Sequence, residues 1–211
     1  MTTEQQVAEQ YRHGALERAI LDAVTASGGN VERLTRRDLG NADQFHLGSH
    51  AATVGLANDL RLASGMHVID IGAGIGGPAR HFADAYGCRV IGIDLSDEYV
   101  QVANALTRRC GLADRVSFRK ASAIAIPFEN ASFDCATLIH VGMNIADKEK
   151  GLRRGATRAE TGRLVRCLRC HAHGRRRDCL SDAVGERAGD KLSRVARCLP
   201  GFAGYGRLCD R

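Results

Sequence analysis

Three glycines at alternate positions, Gly72, Gly74 and Gly76, follow Asp70, and a second carboxylate, Asp94, lies about 20 residues beyond them. Glycines in this spacing let a ligand lie against the backbone, where a Cβ would collide. A helix starting just after them offers free N–H groups to a polar or anionic ligand end. A carboxylate at the position of Asp94 accepts both hydroxyls of a ribose. The pattern therefore calls for a nucleoside-containing ligand. Gly72-x-Gly74-x-x-Gly77 also satisfies the dinucleotide fingerprint, so a nicotinamide-dependent oxidoreductase is the alternative. Asp70 separates the two. A carboxylate there repels a pyrophosphate, whereas the ammonium and sulfonium of S-adenosylmethionine are both drawn to it. Ala73 and Leu95 flank these groups and belong to the same expected cofactor set. For proton transfer, His140 is the best placed base, because a neutral imidazole accepts a proton near pH 7. His46 is a weaker second choice, and Met143 and Asn144 are expected to line the pocket.

The elements that must hold these groups follow from periodicity. His67–Ile71 is a short, almost continuously apolar run, as in a strand buried on both faces. Pro78 sits in the first turn of the next helix, where its missing N–H costs little. Arg89–Ile93, Val116–Lys120 and Cys135–Ile139 read as further strands. Ser96 is a good N-cap for a helix over Glu98–Cys110, with Asp97 and Glu98 at its positive end and Gly111 closing it. Strands alternating with amphipathic helices argue for an α/β fold with a parallel sheet. Upstream, apolar positions from Val7 to Val24 keep helical spacing, and Gly28-Gly29-Asn30 ends that helix. A short helix is expected over Val31–Arg37, with Thr35 an equally good cap for a turn leading to Leu39, and another over Ala51–Leu62.

Asp70-x-Gly72-x-Gly74-x-Gly76, with the second strand ending Ile93-Asp94-Leu95, resembles the first two motifs of class I methyltransferases. Gly74-Ile-Gly-Gly-Pro-Ala-Arg80 is similar to the quinone, sterol, tocopherol and glycine-betaine pathway enzymes. Phe128-x-x-x-Ser132-Phe133-Asp134 is similar to their approach to the fourth strand, His140–Ile145 to the turn after it, and Asp43-Gln-Phe-His46 to an N-terminal lid. The resemblance covers roughly Val31–Lys150. It implies a Rossmann-like sheet with helices on both faces, S-adenosylmethionine as cofactor, and a small-molecule methyl acceptor. It implies that Asp70, Gly72, Gly74 and Gly76 hold the methionyl part and Asp94 the ribose, with Gln44, Phe45 and His46 toward the acceptor. The family carries an aspartate at the adenine edge after the third strand. Here Ser122 stands there, followed by Ala123, which implies weaker cofactor binding.

Composition divides the chain. Residues 1–150 hold 15 Lys and Arg against 18 Asp and Glu, while residues 151–211 hold 15 against 6. Five of the eight cysteines fall in that last part. The expected organisation is N-terminal helices and lid over 1–62, the cofactor-binding core over 63–150, and a basic, poorly ordered tail over 151–211 that replaces the later strands. The tail lacks the fifth strand and the Lys-Pro-Gly-Gly type of turn that the family requires. Codons for residues 159–174, read one nucleotide further on, permit Leu-Lys-Pro-Gly-Gly-Ser-Phe-Ala-Val-Tyr-Asp-Val. A reading-frame slip near Lys150–Gly151 is therefore expected, and with it weak or absent turnover. Cys167-Leu-Arg-Cys170-His171 matches a haem-attachment pattern and His173 adds a metal ligand, but a slipped frame makes such residues from ordinary codons. No metal is expected. The Arg-rich run would make a non-catalytic, nucleic-acid-binding module the remaining alternative, yet it has few interleaved aromatics and a frame-slip origin, so no nucleic acid is expected. No apolar run approaches the roughly 20 residues of a membrane span, and the polar N-terminus reads as cytoplasmic. Oligomeric state is left open.

Overall fold

The computed structural model describes residues 3–10, 14–40, 42–44, 49–145 and 165–168. Five parallel strands form one sheet in the order β3-β2-β1-β4-β5. They are β1 (His67–Ile71), β2 (Arg89–Asp94), β3 (Val116–Lys120), β4 (Cys135–Ile139) and β5 (Val165–Leu168). The first four stand where the apolar runs place them. β1 and β4 are buried along nearly their whole length, as central parallel strands covered on both faces must be. Val165–Leu168 adds a strand that sequence reasoning had not found. Only four residues long, it pairs from Ala136↔Val165 to Ile139↔Leu168 on the outer side of β4. The expected poor order elsewhere in the tail lies outside the described residues.

Side chains alternate across the sheet. Val68, Val90, Val116 and Cys135 face a core closed by Leu56 of α4 (Ser49–Asp59), Leu60 just after it, and Phe82 of α5 (Gly77–Tyr86). Ile69, Ile71, Ala136 and Leu138 face the other way, against Ile126, Phe133 and Ile145 from connecting segments. Burying a Leu, Ile or Phe contributes about 1.5–3 kcal/mol each, so two such faces hold the sheet firmly.

The N-terminal region departs from the expected continuous helix. It breaks into α1 (Thr3–Gln10) and α2 (Leu16–Ala26), with Gly14 between them at φ +77°, a left-handed conformation no helix passes through. The expected helix over Val31–Arg37 is also displaced. Thr35 wins as a cap instead: its N–H and hydroxyl both donate to Asp38 (2.6 and 2.7 Å), starting α3 (Arg36–Leu39). Ile20, Val24 and Leu39 pack on Val102 and Leu106 of α6 (Asp97–Arg109), which joins these helices to the sheet layer. Ser96 caps α6 as expected, its hydroxyl accepting from the N–H of Tyr99.

β3 lies at the edge of the sheet, and α6 covers its outer side. Asn104 takes both outward backbone groups of Phe118: its Oδ1 accepts the N–H (3.1 Å) and its Nδ2 donates to the carbonyl (3.0 Å).

Candidate functional site

Strand order makes the site a row. At the C-terminal ends of the strands, the segments after β3, β2, β1 and β4 follow one another along one cavity. This is where ligands bind in open α/β sheets. The end of β3 contributes Ala121, Ala123 and Ile124; β2 contributes Ile93, Asp94 and Leu95; β1 contributes Asp70 and Gly72–Ile75; β4 contributes Ile139, His140 and Val141, with Asn144 and Ile145 beyond.

Asp70 is 1% exposed. Parallel register sets it between Gly92 and Thr137, and the Thr137 hydroxyl donates to its Oδ1 at 2.7 Å. Burial pushes its carboxyl from 3.8 up to about 6; the Thr137 hydrogen bond pulls back, and the nearby Asp94 charge pushes further up. A buried carboxylate with one neutral partner is under-compensated, which is what a cationic ligand end would relieve.

The three glycines do three different things. Gly74, at φ +55°, has no atom within 4 Å of where a Cβ would stand, so the space beside it is open to the cavity. Gly72 lines the cavity too, but a Cβ there would meet the Val141 side chain at 2.5 Å. Gly76 does not line the cavity. Its Cβ would stand 2.2 Å from Cζ of Phe118, so the expectation that it touches cofactor is corrected: it lets the turn close over that ring. Gly92, inside β2, makes room for the same ring at 2.3 Å.

Asp94 is fixed by the turn it faces. The Gly74 N–H donates to one oxygen and the Ser96 N–H to the other, both at 2.9 Å. Burial pushes its carboxyl up, and these N–H bonds pull it back. A carboxylate has about four lone-pair sites, so acceptor capacity remains for a diol.

His140 ends β4 in a left-handed conformation, φ +54°, uncommon for a residue with a side chain. It lines the cavity, and its Nδ1 is buried without a hydrogen-bond partner. Asn144 also lines the cavity, while Met143 belongs to the short 3-10 turn Gly142–Asn144.

Other expected positions fall elsewhere. Gln44 is turned into the core, where its side-chain carbonyl accepts from Thr53 at 2.7 Å, so it does not face the cavity as expected. Phe45 and His46 lie outside the described residues. From the segment expected to act as a lid, it is Asp43 that reaches the cavity wall. Its Oδ2 accepts from Arg80 (3.2 Å), a fully buried guanidinium that also donates to the Ile75 carbonyl (2.8 Å) under the glycine turn and to Thr107 (3.1 Å). Burial works against both charges, pushing Asp43 up and Arg80 down, and their mutual attraction opposes it. Ser122 sits beside the cavity wall. Its Oγ accepts from the Ile124 N–H (3.1 Å) and its hydroxyl donates to Glu4 of α1, which lines the cavity. Glu4, Asp43 and Tyr99 were missed by sequence reasoning. Only Asp43 carried a signal, as the first residue of the lid motif.

Comparison with known proteins agrees with this architecture. Residues 68–160 match the family model described as a methyltransferase domain. The probable chloroplastic tocopherol O-methyltransferase of Oryza sativa subsp. japonica is 36% identical over 105 residues, 49% of this chain and 29% of that protein. The chain spans about a third of the length of the curated relatives it matches. Among solved structures, the phosphoethanolamine N-methyltransferase 2 of Haemonchus contortus, in complex with S-adenosyl-L-methionine, superposes with TM-score 0.61 at 23% identity, over 79% of this chain and 35% of that one. The [4+2]-cyclase SpnF superposes with TM-score 0.63 at 23% identity, over 93% of this chain and 72% of that one. The sheet and its flanking helices share the Rossmann-like fold of these neighbours, and residues 68–160 are similar to a methyltransferase domain.

Proposed function

We propose that this chain binds S-adenosylmethionine in the row described above and transfers its methyl group to a small molecule. One observation carries the reading: a fully buried carboxylate, Asp70, lies at the head of the turn whose Gly74 opens onto the cavity. That pairing of negative charge and bare backbone suits an ammonium-bearing amino-acid end. A pyrophosphate against Asp70 would meet like charge, which weighs against the nicotinamide alternative. In this reading Asp70 and Gly72–Gly74 hold the methionyl part, Asp94 the ribose, and Leu95, Ala123 and Ile124 the faces of the base.

The cofactor supplies an electrophilic methyl group. The chain supplies position, dryness and a proton acceptor. His140, whose side chain is part of the cavity lining, takes the proton from the acceptor's nucleophilic atom, and Asn144 lines the same cavity. The acceptor is a small molecule bound beyond β4, as the tocopherol O-methyltransferase resemblance supports. Residues 1–62 act as lid and residues 63–150 as cofactor core. Among the described residues no helix is long and apolar enough to cross a membrane. Free buried thiols at Cys88 and Cys135 suit the reducing cytoplasm. Past Lys150 the chain reads as frame-slipped, so turnover is weak although the cofactor row is complete; the encoding DNA around codon 150 tests this directly.

Calorimetric titration tests the cofactor. S-Adenosylhomocysteine should bind saturably with one site per chain, and NADH and NADPH should not compete. Tighter binding of either dinucleotide would overturn the proposal. A salt-dependent affinity for nucleic acid, lost on deleting residues 151–211, would instead support the binding-module alternative.

A further inference from the structure

We propose that Glu4, on α1, recognises the exocyclic amino group of the cofactor's adenine, supplying from the N-terminal helix a carboxylate that the end of β3 lacks. The proposal rests on the S-adenosylmethionine reading.

The row fixes which part of a ligand meets which strand. With the ribose at Asp94 and the amino-acid end at Asp70, the base extends the other way, toward the end of β3. There the wall is apolar, made by Ala121, Ala123 and Ile124, and suits the faces of a flat ring. An apolar wall does not distinguish adenine from other purines. Discrimination needs an acceptor for the 6-amino group.

Ser122 is the polar side chain of that segment, but it is already engaged. Its oxygen accepts from the Ile124 N–H, and its single proton goes to Glu4 Oε1. Ser122 is thereby a positioning residue: it holds the Glu4 carboxylate at the cavity edge. Glu4 lines the same cavity and is half-buried there. Ser122 engages one of about four lone-pair sites on the carboxylate, which leaves acceptors for an N–H₂ donor. A charged acceptor makes the stronger bond to such a donor. It also repels the 6-oxo oxygen of a deaminated base.

S-Adenosylhomocysteine and S-inosylhomocysteine, which differ at the 6-position, are the probes, titrated into the full chain. The wild type should prefer the adenosyl compound by about tenfold or more, the scale of one hydrogen bond to a charged group. Glu4→Ala should bring the ratio of affinities close to one. Glu4→Gln, whose amide can donate to the 6-oxo oxygen, should move the preference toward the inosyl compound. A purely structural α1 would weaken both ligands equally in Glu4→Ala and leave the ratio unchanged, which overturns the proposal. Wild type binding the adenosyl compound without preference overturns it as well, and leaves the cofactor reading standing. Failure of the wild type to bind either compound removes both.

Discussion

Asp70→Asn should make the protein more stable and a poorer binder at the same time. The wild-type carboxyl is raised from 3.8 to about 6, chiefly because ionising it in a dry position is unfavourable. At roughly 1.4 kcal/mol per pH unit this amounts to about 3 kcal/mol of destabilisation once the group is charged. The sign follows from proton binding. Between about pH 4 and pH 6 the folded state holds the proton that the unfolded state has released. Stability from the neutral carboxyl is therefore complete below about pH 4 and lost as pH rises through about 6. An amide stays neutral, and its oxygen still accepts from Thr137. Urea unfolding should thus show Asp70→Asn more stable by up to about 3 kcal/mol at pH 7, with the gain shrinking toward zero at pH 4. S-Adenosylhomocysteine affinity should fall at pH 7, because the charge that meets the ligand ammonium is gone. In the wild type that affinity should drop about tenfold from pH 7 to pH 5 as Asp70 takes up its proton. No stability gain at pH 7, or a gain of equal size at both pH values, would refute the argument. So would unchanged ligand affinity in the variant.

The glycines separate packing from binding. Gly76→Ala forces a Cβ to within 2.2 Å of Phe118 at φ +86°, and thermal unfolding should reveal a loss of about 2 kcal/mol or more. Gly74→Ala meets no atom within 4 Å, so its cost is the left-handed backbone alone, about 1 kcal/mol, while titration should show S-adenosylhomocysteine affinity lost. Arg80→Met leaves Asp43 buried and unpaired, and urea unfolding should show about 3–5 kcal/mol lost; adding Asp43→Asn should recover much of it.

The strands and the head of the site were legible because they depend on local sequence. An apolar run flanked by Gly and Asp reads as a buried strand and its ligand turn, and Asp70, Gly72, Gly74, Asp94 and His140 all reach the cavity. What sequence could not supply was contact across long separations. Glu4 meets Ser122 only because α1 folds back over the row, and Asp43 meets Arg80 from a connecting segment whose path no periodicity encodes. Gly76 was misread for a related reason. A glycine's spacing looks the same whether it clears a ligand or, as here, a phenylalanine from another strand. The helix break at Gly14 escaped notice more simply: apolar spacing persisted there, but a left-handed glycine overrode it, whereas at Thr35 the residues allowed two readings and the capping box decided for the cap.

Asn104 gives the sheet a direction. By taking both outward backbone groups of Phe118, it occupies the middle of the row of hydrogen bonds that another strand would need. A chain approaching β3 would have to unseat α6 before it could pair. The opposite side carries no such stopper among the described residues, and there β4 has already accepted the four residues of β5. Lateral growth of the sheet is therefore one-way. Whatever completes it, from this chain or another, joins on the side where His140 stands and the methyl acceptor is proposed to bind, and leaves the end proposed for adenine untouched.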